Sequence, residues 1–228
     1  MSARRHDKPP ASLHKKPSGR SDVMLIIWGR ENSTNVKKAR WCAAELGLAY
    51  ELVPAGGQFG RNRDADYLSM NPNGLVPCLQ DDELVLWESH AIVRYLAAQY
   101  GQGRFYHADP KIQAGIDKWL DWAAGLTEPY KQVFINLVRT VPEKRNMQDV
   151  ETGIAGCEKL FAIADAVLAN QRWLSGDEFG IGDIPLGCIA YSWFNLPISR
   201  QPRPHLERWY QQLTERDAFR QTVMLPLT

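Results

Sequence analysis

The sequence predicts an α/β unit followed by an all-helical one, and three observations carry that prediction. Two β-rich runs, 23–28 and 50–53, flank a stretch whose apolar residues recur at helical spacing. A second pair of strands meets at Asp81-Asp82 and leads into a helix start at Ser89. From residue 111 to the end the pattern is helical, with no further strand signal.

Taken in order, 23–28 is a continuous apolar strand, and 50–53 is a second one stopped by Pro54. Between them Val36, Ala39, Cys42, Ala43 and Leu46 share one helical face, and Gly47 suits the helix C-terminus. Strand, helix, strand implies a parallel pair joined by a right-handed crossover. Residues 55–63 read as loop, with a short helix near 65–69. Strands at 77–80 and 84–87 and a helix over 89–99 complete a four-stranded mixed sheet, a thioredoxin-like pattern. Beyond it, helices are expected over 112–127, continuing past a kink at Pro129 toward Val141, and over 150–170. The stretch 184–195 is apolar nearly all round, the mark of a buried central helix. Helices at 205–214 and 218–224 close the chain. The expected division is a disordered basic extension at 1–22, a thioredoxin-like domain at 23–103, a linker at 104–110 and a helical-bundle domain at 111–228.

Composition narrows the function. The chain has 228 residues, 44% of them apolar, and a net charge of +1. Its extension holds six of the 27 basic residues (Arg4, Arg5, Lys8, Lys15, Lys16, Arg20) against Asp7 and Asp22. The remainder keeps 21 basic and 24 acidic residues, which offers no nucleic-acid surface. The extension lacks the apolar core of a secretory signal. No run of 18 apolar residues suggests a membrane span. Cys42, Cys78, Cys157 and Cys188 form no Cys-x-x-Cys and read as buried, reduced thiols. Five histidines make no pair with metal-ligand spacing, so no metal is expected.

The most informative stretch runs Asn71-Pro72-Asn73-Gly74-Leu75-Val76-Pro77, then a hairpin, then Glu88-Ser89 opening a helix. It presents a backbone edge beside Val76-Pro77 and a helix N-terminus at Ser89. An edge pairs with the main chain of an extended peptide, and a helix N-terminus attracts a carboxylate. Together they suit a small anionic peptide. Ser33, Thr34 and Asn35 open the first helix, where each reads equally as a cap or as a hydrogen-bond donor to a bound anion.

Val76-Pro77 and Glu88-Ser89 at this spacing resemble the glutathione-binding half of cytosolic glutathione transferases. The resemblance extends through residues 32–38, 46–51 and 205–210, and so from about residue 23 to the end. It implies a cis proline, with backbone pairing from Val76 to the cysteinyl part of glutathione. Glu88 and Ser89 would then hold the γ-glutamyl ammonium and carboxylate, and Gln58, Phe59 and Asn73 the glycyl end. Ser33 falls on the theta-type serine that activates the thiol; Asn35 falls where some bacterial relatives use asparagine beside a threonine. Tyrosine- and cysteine-type catalysts are absent near Ser33. The implied reaction is attack of the glutathione thiolate on a hydrophobic electrophile, in a pocket to which Trp119, Trp122 and Tyr130 are assigned. Aromatics at helical spacing are more often core, and that reading stays open for all three.

Glutathione is the implied co-substrate, with no metal. The family implies a cytoplasmic homodimer with a detoxifying role, and no nucleic-acid or membrane partner. Two other readings keep the same scaffold: glutathione-dependent reduction of disulfides or peroxides, and a binding module without turnover. One departure concerns the motif before the 184–195 helix. There the family usually has Ser or Thr three residues before Asp183, and Ala next to that Asp. This chain has Gly180 and Gly182, so the reciprocal side-chain cap is expected to be missing.

Overall fold

In the computed structural model, which describes residues 25–228, four short strands form one mixed sheet ordered β2-β1-β3-β4. Strand β1 (Leu25–Trp28) runs parallel to β2 (Tyr50–Val53) and antiparallel to β3 (Cys78–Asp81), which pairs antiparallel with β4 (Leu84–Trp87). Helix α1 (Thr34–Glu45) makes the crossover between β1 and β2. The expected extension at 1–22 and the first residues of the first strand lie outside the described residues.

The β3–β4 hairpin closes through Asp82 and Glu83, with Asp82 at φ 51°, a left-handed conformation that Asp tolerates. At the end of β3 the buried Asp81 carboxylate accepts from Tyr95 and Tyr100 hydroxyls, both at 2.6 Å. Those tyrosines sit on helix α3 (Ser89–Tyr100), so the two bonds fix its register on the sheet. A short helix α2 (Ala65–Met70) precedes the Val76–Pro77 loop.

Asp109 caps helix α4 (Pro110–Ala123), accepting from the Lys111 N–H at 2.8 Å. The break in the next helical stretch does not fall at Pro129. It comes earlier, as a 3-10 turn over Ala124–Leu126, and helix α5 (Thr127–Phe134) then starts afresh. Pro129 is in the first turn of α5, where a missing N–H leaves no intrahelical bond unmade. A π-turn over Ile135–Arg139 ends that stretch. Helices α6 (Met147–Leu168), α7 (Ile184–Asn195), α8 (Pro204–Thr214) and α9 (Asp217–Thr222) complete the chain.

As its composition requires, α7 is buried along most of its length. It lies against α1, and a Cβ at Gly187 would stand 2.7 Å from the Trp41 ring. Only glycine admits this approach of the two helices. Trp41 also packs on Phe179 and Phe219, with ring centroids at 5.4 and 4.7 Å. The core thus runs continuously from the sheet's helices into the bundle.

Asp183 is wholly buried ahead of α7 and accepts N–H bonds from Leu174 (2.7 Å), Gly180 (3.2 Å), Ser175 (3.3 Å) and the Trp209 indole (2.8 Å). Burial pushes its carboxyl up, and these bonds oppose the shift. The missing cap side chain at Gly180 has a physical counterpart. A Cβ there would stand 2.8 Å from Ser175 Oγ, so Ser175 occupies the space the family's Ser or Thr would fill. Gly180→Ser is therefore expected to destabilise the fold by about 1–2 kcal/mol through overpacking. In urea titrations of a double-mutant cycle, Ser175→Ala in the same chain is expected to recover most of that loss.

Candidate active site

Ser33 is the N-cap residue of α1, is 7% exposed, and its side chain makes no capping bond. Its backbone carbonyl accepts from Lys37 N–H at 2.9 Å, so the helix starts without the hydroxyl. The hydroxyl instead borders a cavity of about 150 Å³ between α1 and α5, with Thr34, Asn35, Tyr130 and Phe134 around it. Of the two readings open at Ser33, capping is not the one its side chain adopts.

Asn35 is held from behind. The Lys38 ammonium donates to Asn35 Oδ1 at 3.0 Å and stands 2.9 Å from His90 Nε2. An ammonium has no lone pair, so His90 Nε2 is the acceptor and the ring proton is on Nδ1. With Oδ1 engaged, the Asn35 NH₂ group is left as the donor. Lys38 is 5% exposed, and burial lowers its pKa to about 8, opposed by nearby Cys188 and Glu88. Burial and the Lys38 cation push His90 down to about 3. His90 is neutral across the physiological range.

The second wall is the loop before β3. The Val76–Pro77 bond is cis. The preceding carbonyl, Leu75 O, accepts from Tyr67 Oη (2.5 Å) and Asn71 Nδ2 (2.8 Å), while Asn62 Nδ2 donates to Gly74 O (2.7 Å). Asn73 turns inward to Asn71 Oδ1 and serves the loop itself. Val76 lies outside both flanking strands, and among the described residues its main chain takes part in no hydrogen bond.

Glu88 precedes α3 at φ 71° and ψ 113°, a conformation that a non-glycine residue adopts at a cost of about 1–3 kcal/mol. The bend leaves Glu88 exposed and starts α3 at Ser89, which is 7% exposed and whose hydroxyl has no hydrogen bond among the described residues. Gln58 and Phe59 border a larger cleft of about 460 Å³, which also touches Arg30, Arg139, Leu225, Pro226 and Thr228; Glu88 and Ser89 do not border it.

Two sequence-assigned residues sit elsewhere. Trp119 is 5% exposed and packs edge-on against Trp122 on α4, with centroids at 5.1 Å; neither borders the cavity at Ser33. The 3-10 turn at Ala124–Leu126 is the reason, because it resets the helical face. After it, Tyr130 and Phe134 come forward as a tilted ring pair with centroids 5.4 Å apart. The buried Tyr130 hydroxyl lies beside Thr34 and Ser192 without a well-formed bond, and burial raises it to about 12.

Residues 23–98 match the family described as "Glutathione S-transferase, N-terminal domain", and residues 130–217 the corresponding C-terminal domain. The chain belongs to the glutathione S-transferase family. It is 52% identical to "Glutathione S-transferase GstB" of Escherichia coli strain K12, over 90% of this chain and all of that one. It is 30% identical to "Glutathione S-transferase F13" of Arabidopsis thaliana, over 86% of this chain and 94% of the relative. Among solved structures, the theta class enzyme of Xanthomonas axonopodis pv. citri, with glutathione bound, superposes at a TM-score of 0.88. That pair is 46% identical, covering 90% of this chain and 100% of the other.

Within this member of the family the four cysteines are buried and free. Burial raises Cys78 to about 11 and Cys157 and Cys188 to about 12, and Cys42 further still. None supplies a thiolate at neutral pH. Among the described residues no group of three His, Cys, Asp or Glu stands in metal-binding arrangement, and no helix is long and apolar enough to cross a membrane. Sequence reasoning did not single out Arg30, Lys38, His90, Phe134 or Arg139 for the site. The detectable signal was Lys37-Lys38, two cations on a helix whose other assigned positions are apolar.

Proposed function

We propose that the protein is a glutathione transferase whose Ser33 hydroxyl donates a hydrogen bond to the glutathione thiolate. The observation that carries this reading is the uncommitted Ser33 hydroxyl at the first turn of α1, facing a cavity. A free thiol has a pKa of about 8.5, which leaves a few per cent thiolate at neutral pH. A hydroxyl bond to an ion contributes about 1.5–3 kcal/mol and a helix N-terminus about 0.3–1 kcal/mol. At about 1.4 kcal/mol per unit, the two lower the thiol by about one to three units. Thiolate then becomes a major form.

Under this reading Val76 pairs with the cysteinyl main chain, Glu88 and Ser89 hold the γ-glutamyl end, and Gln58 and Phe59 flank the glycyl end. Asn35 is a second donor toward the sulfur. Tyr130 and Phe134 form the electrophile wall in place of Trp119 and Trp122. The protein acts as a cytoplasmic homodimer, with residues 23–103 and 111–228 as its two domains. Titration calorimetry is expected to register one glutathione per chain, and an aryl chloride assay to register turnover. A flat isotherm overturns the assignment. Uptake without turnover of any aryl chloride reduces it to a binding module.

A further inference from the structure

The cavity beside Ser33 has a one-sided charge. Arg30, Lys38, Lys131 and Arg139 border it, and no Asp or Glu does. Lys38 is spent on Asn35 and His90, and Lys131 lies near the exposed Glu128 at 3.8 Å. The two guanidinium groups are different. Among the described residues neither Arg30 nor Arg139 forms an ion pair with an acidic side chain, and Arg30 Nε is buried without any hydrogen-bond partner. They stand close enough for Arg139, together with burial, to depress the Arg30 pKa. Glu31 borders only the outer cleft.

Two like charges held together with an idle donor are costly unless an anion joins them. The Arg139 fork shows where such an anion would be met: its Nε and Nη2 both point at the Thr228 main-chain oxygen, at 3.4 and 3.3 Å. Both are longer than a charge-assisted bond to a carboxylate, so an incoming anion that displaces this oxygen gains shorter bonds to the fork. The apolar part of the wall is formed by Tyr130, Phe134, Ile135 and Ile189.

Building on the transferase reading, we propose that the preferred electrophile is a small aromatic or aliphatic compound bearing a carboxylate or sulfonate, received by Arg30 and Arg139 with its reactive carbon toward Ser33. For an aryl chloride the balance is simple. The thiolate forms the C–S bond, the C–Cl bond breaks, and chloride leaves with the electron pair. The carboxylate is unchanged and serves only to orient. The hydrophobic electrophile expected of the family is thereby narrowed to an amphipathic anion.

The test compares 4-chloro-3-nitrobenzoate with 4-chloro-3-nitrobenzamide, near-equal in size and different in charge. Each kcat/KM is divided by the uncatalysed rate with glutathione at the same ionic strength. The expected carboxylate-to-amide ratio is about tenfold or more above unity, falling as salt is raised. It is expected to approach unity in Arg139→Gln and in Arg30→Gln, with thermal unfolding followed to verify folding. Should either variant fail to fold, competition in the wild-type protein by unreactive 4-methyl-3-nitrobenzoate, against its amide, reads the same preference. A wild-type ratio at or below unity, equal inhibition by the two competitors, or a ratio that neither variant changes overturns the proposal while leaving the transferase intact. Absence of turnover with both substrates, together with no glutathione uptake, overturns the transferase reading and this one with it.

Discussion

Ser33→Ala is expected to lower kcat/KM by about 10- to 100-fold, the loss of one hydrogen bond to an ionised group. Glutathione affinity should hardly change, because Val76, Glu88 and Ser89 lie on other elements. The pH profile gives the sharper readout. With Ser33 as donor, the wild-type thiol is expected to titrate below about 8.5, which puts the rate near its plateau at neutral pH. Without the hydroxyl, the rising limb moves toward the free-thiol value, so that the deficit shrinks as pH increases. Stability is the control that separates donor from cap. The side chain makes no capping bond, so the unfolding free energy should fall by no more than about 0.5 kcal/mol, whereas loss of a working cap typically costs about 1 kcal/mol. A stability loss of that size with an unmoved pH profile would make Ser33 a cap after all and pass the thiol to Asn35.

The fold was legible because local signals agreed with one another. Gly47, the Asp81-Asp82 turn and Asp109-Pro110 each stand where an element stops or starts. So were the cis Val76–Pro77 bond and the helix start at Ser89, since each is carried by consecutive residues. The lining of the cavity at Ser33 was not. Trp119 and Trp122 are aromatic and correctly spaced, but the 3-10 turn after Ala123 rotates the next helix, so that Tyr130 and Phe134 border the cavity. Gly125 is the one local cue to that turn, a poor helix former whose weight a single position does not settle. Pro129, the visible breaker, sits harmlessly in a first turn. Arg30 and Arg139 were beyond reach for another reason. They are over a hundred residues apart and become a pair only when α5 packs on the strand-to-helix turn at Ser33. Ser175 is the same case at smaller range, since its overlap with the space above Gly180 depends on how the loop 174–180 closes.

Lys38→Met is expected to stabilise the protein while impairing it. The ammonium is buried, with an amide oxygen and a neutral imidazole for partners and no carboxylate in contact. Its pKa falls from 10.5 to about 8, so at pH 7 the folded state holds a proton it binds less tightly than the unfolded chain does. A difference of that size corresponds to about 3 kcal/mol. The sign follows directly. Between pH 8 and 10.5 the unfolded chain carries more protons at this site, so the contribution of Lys38 to unfolding free energy rises with pH through that window. Contributions from other groups cancel when wild type and Lys38→Met are compared. The variant should therefore be more stable at pH 7 by about 2 kcal/mol, after the two lost hydrogen bonds are counted, and the gap should close by pH 10.5. Turnover should fall by about tenfold at pH 7, because the Asn35 amide loses the donor that orients it and the start of α3 loses its tie to α1. A variant with unchanged stability would mean that the ammonium is solvated or paired, and one with full activity would mean that Asn35 keeps its orientation unaided. If both shifts appear, the strain at Lys38 is maintained by its service to the site, as expected when a buried charge survives in a fold that would be sounder without it.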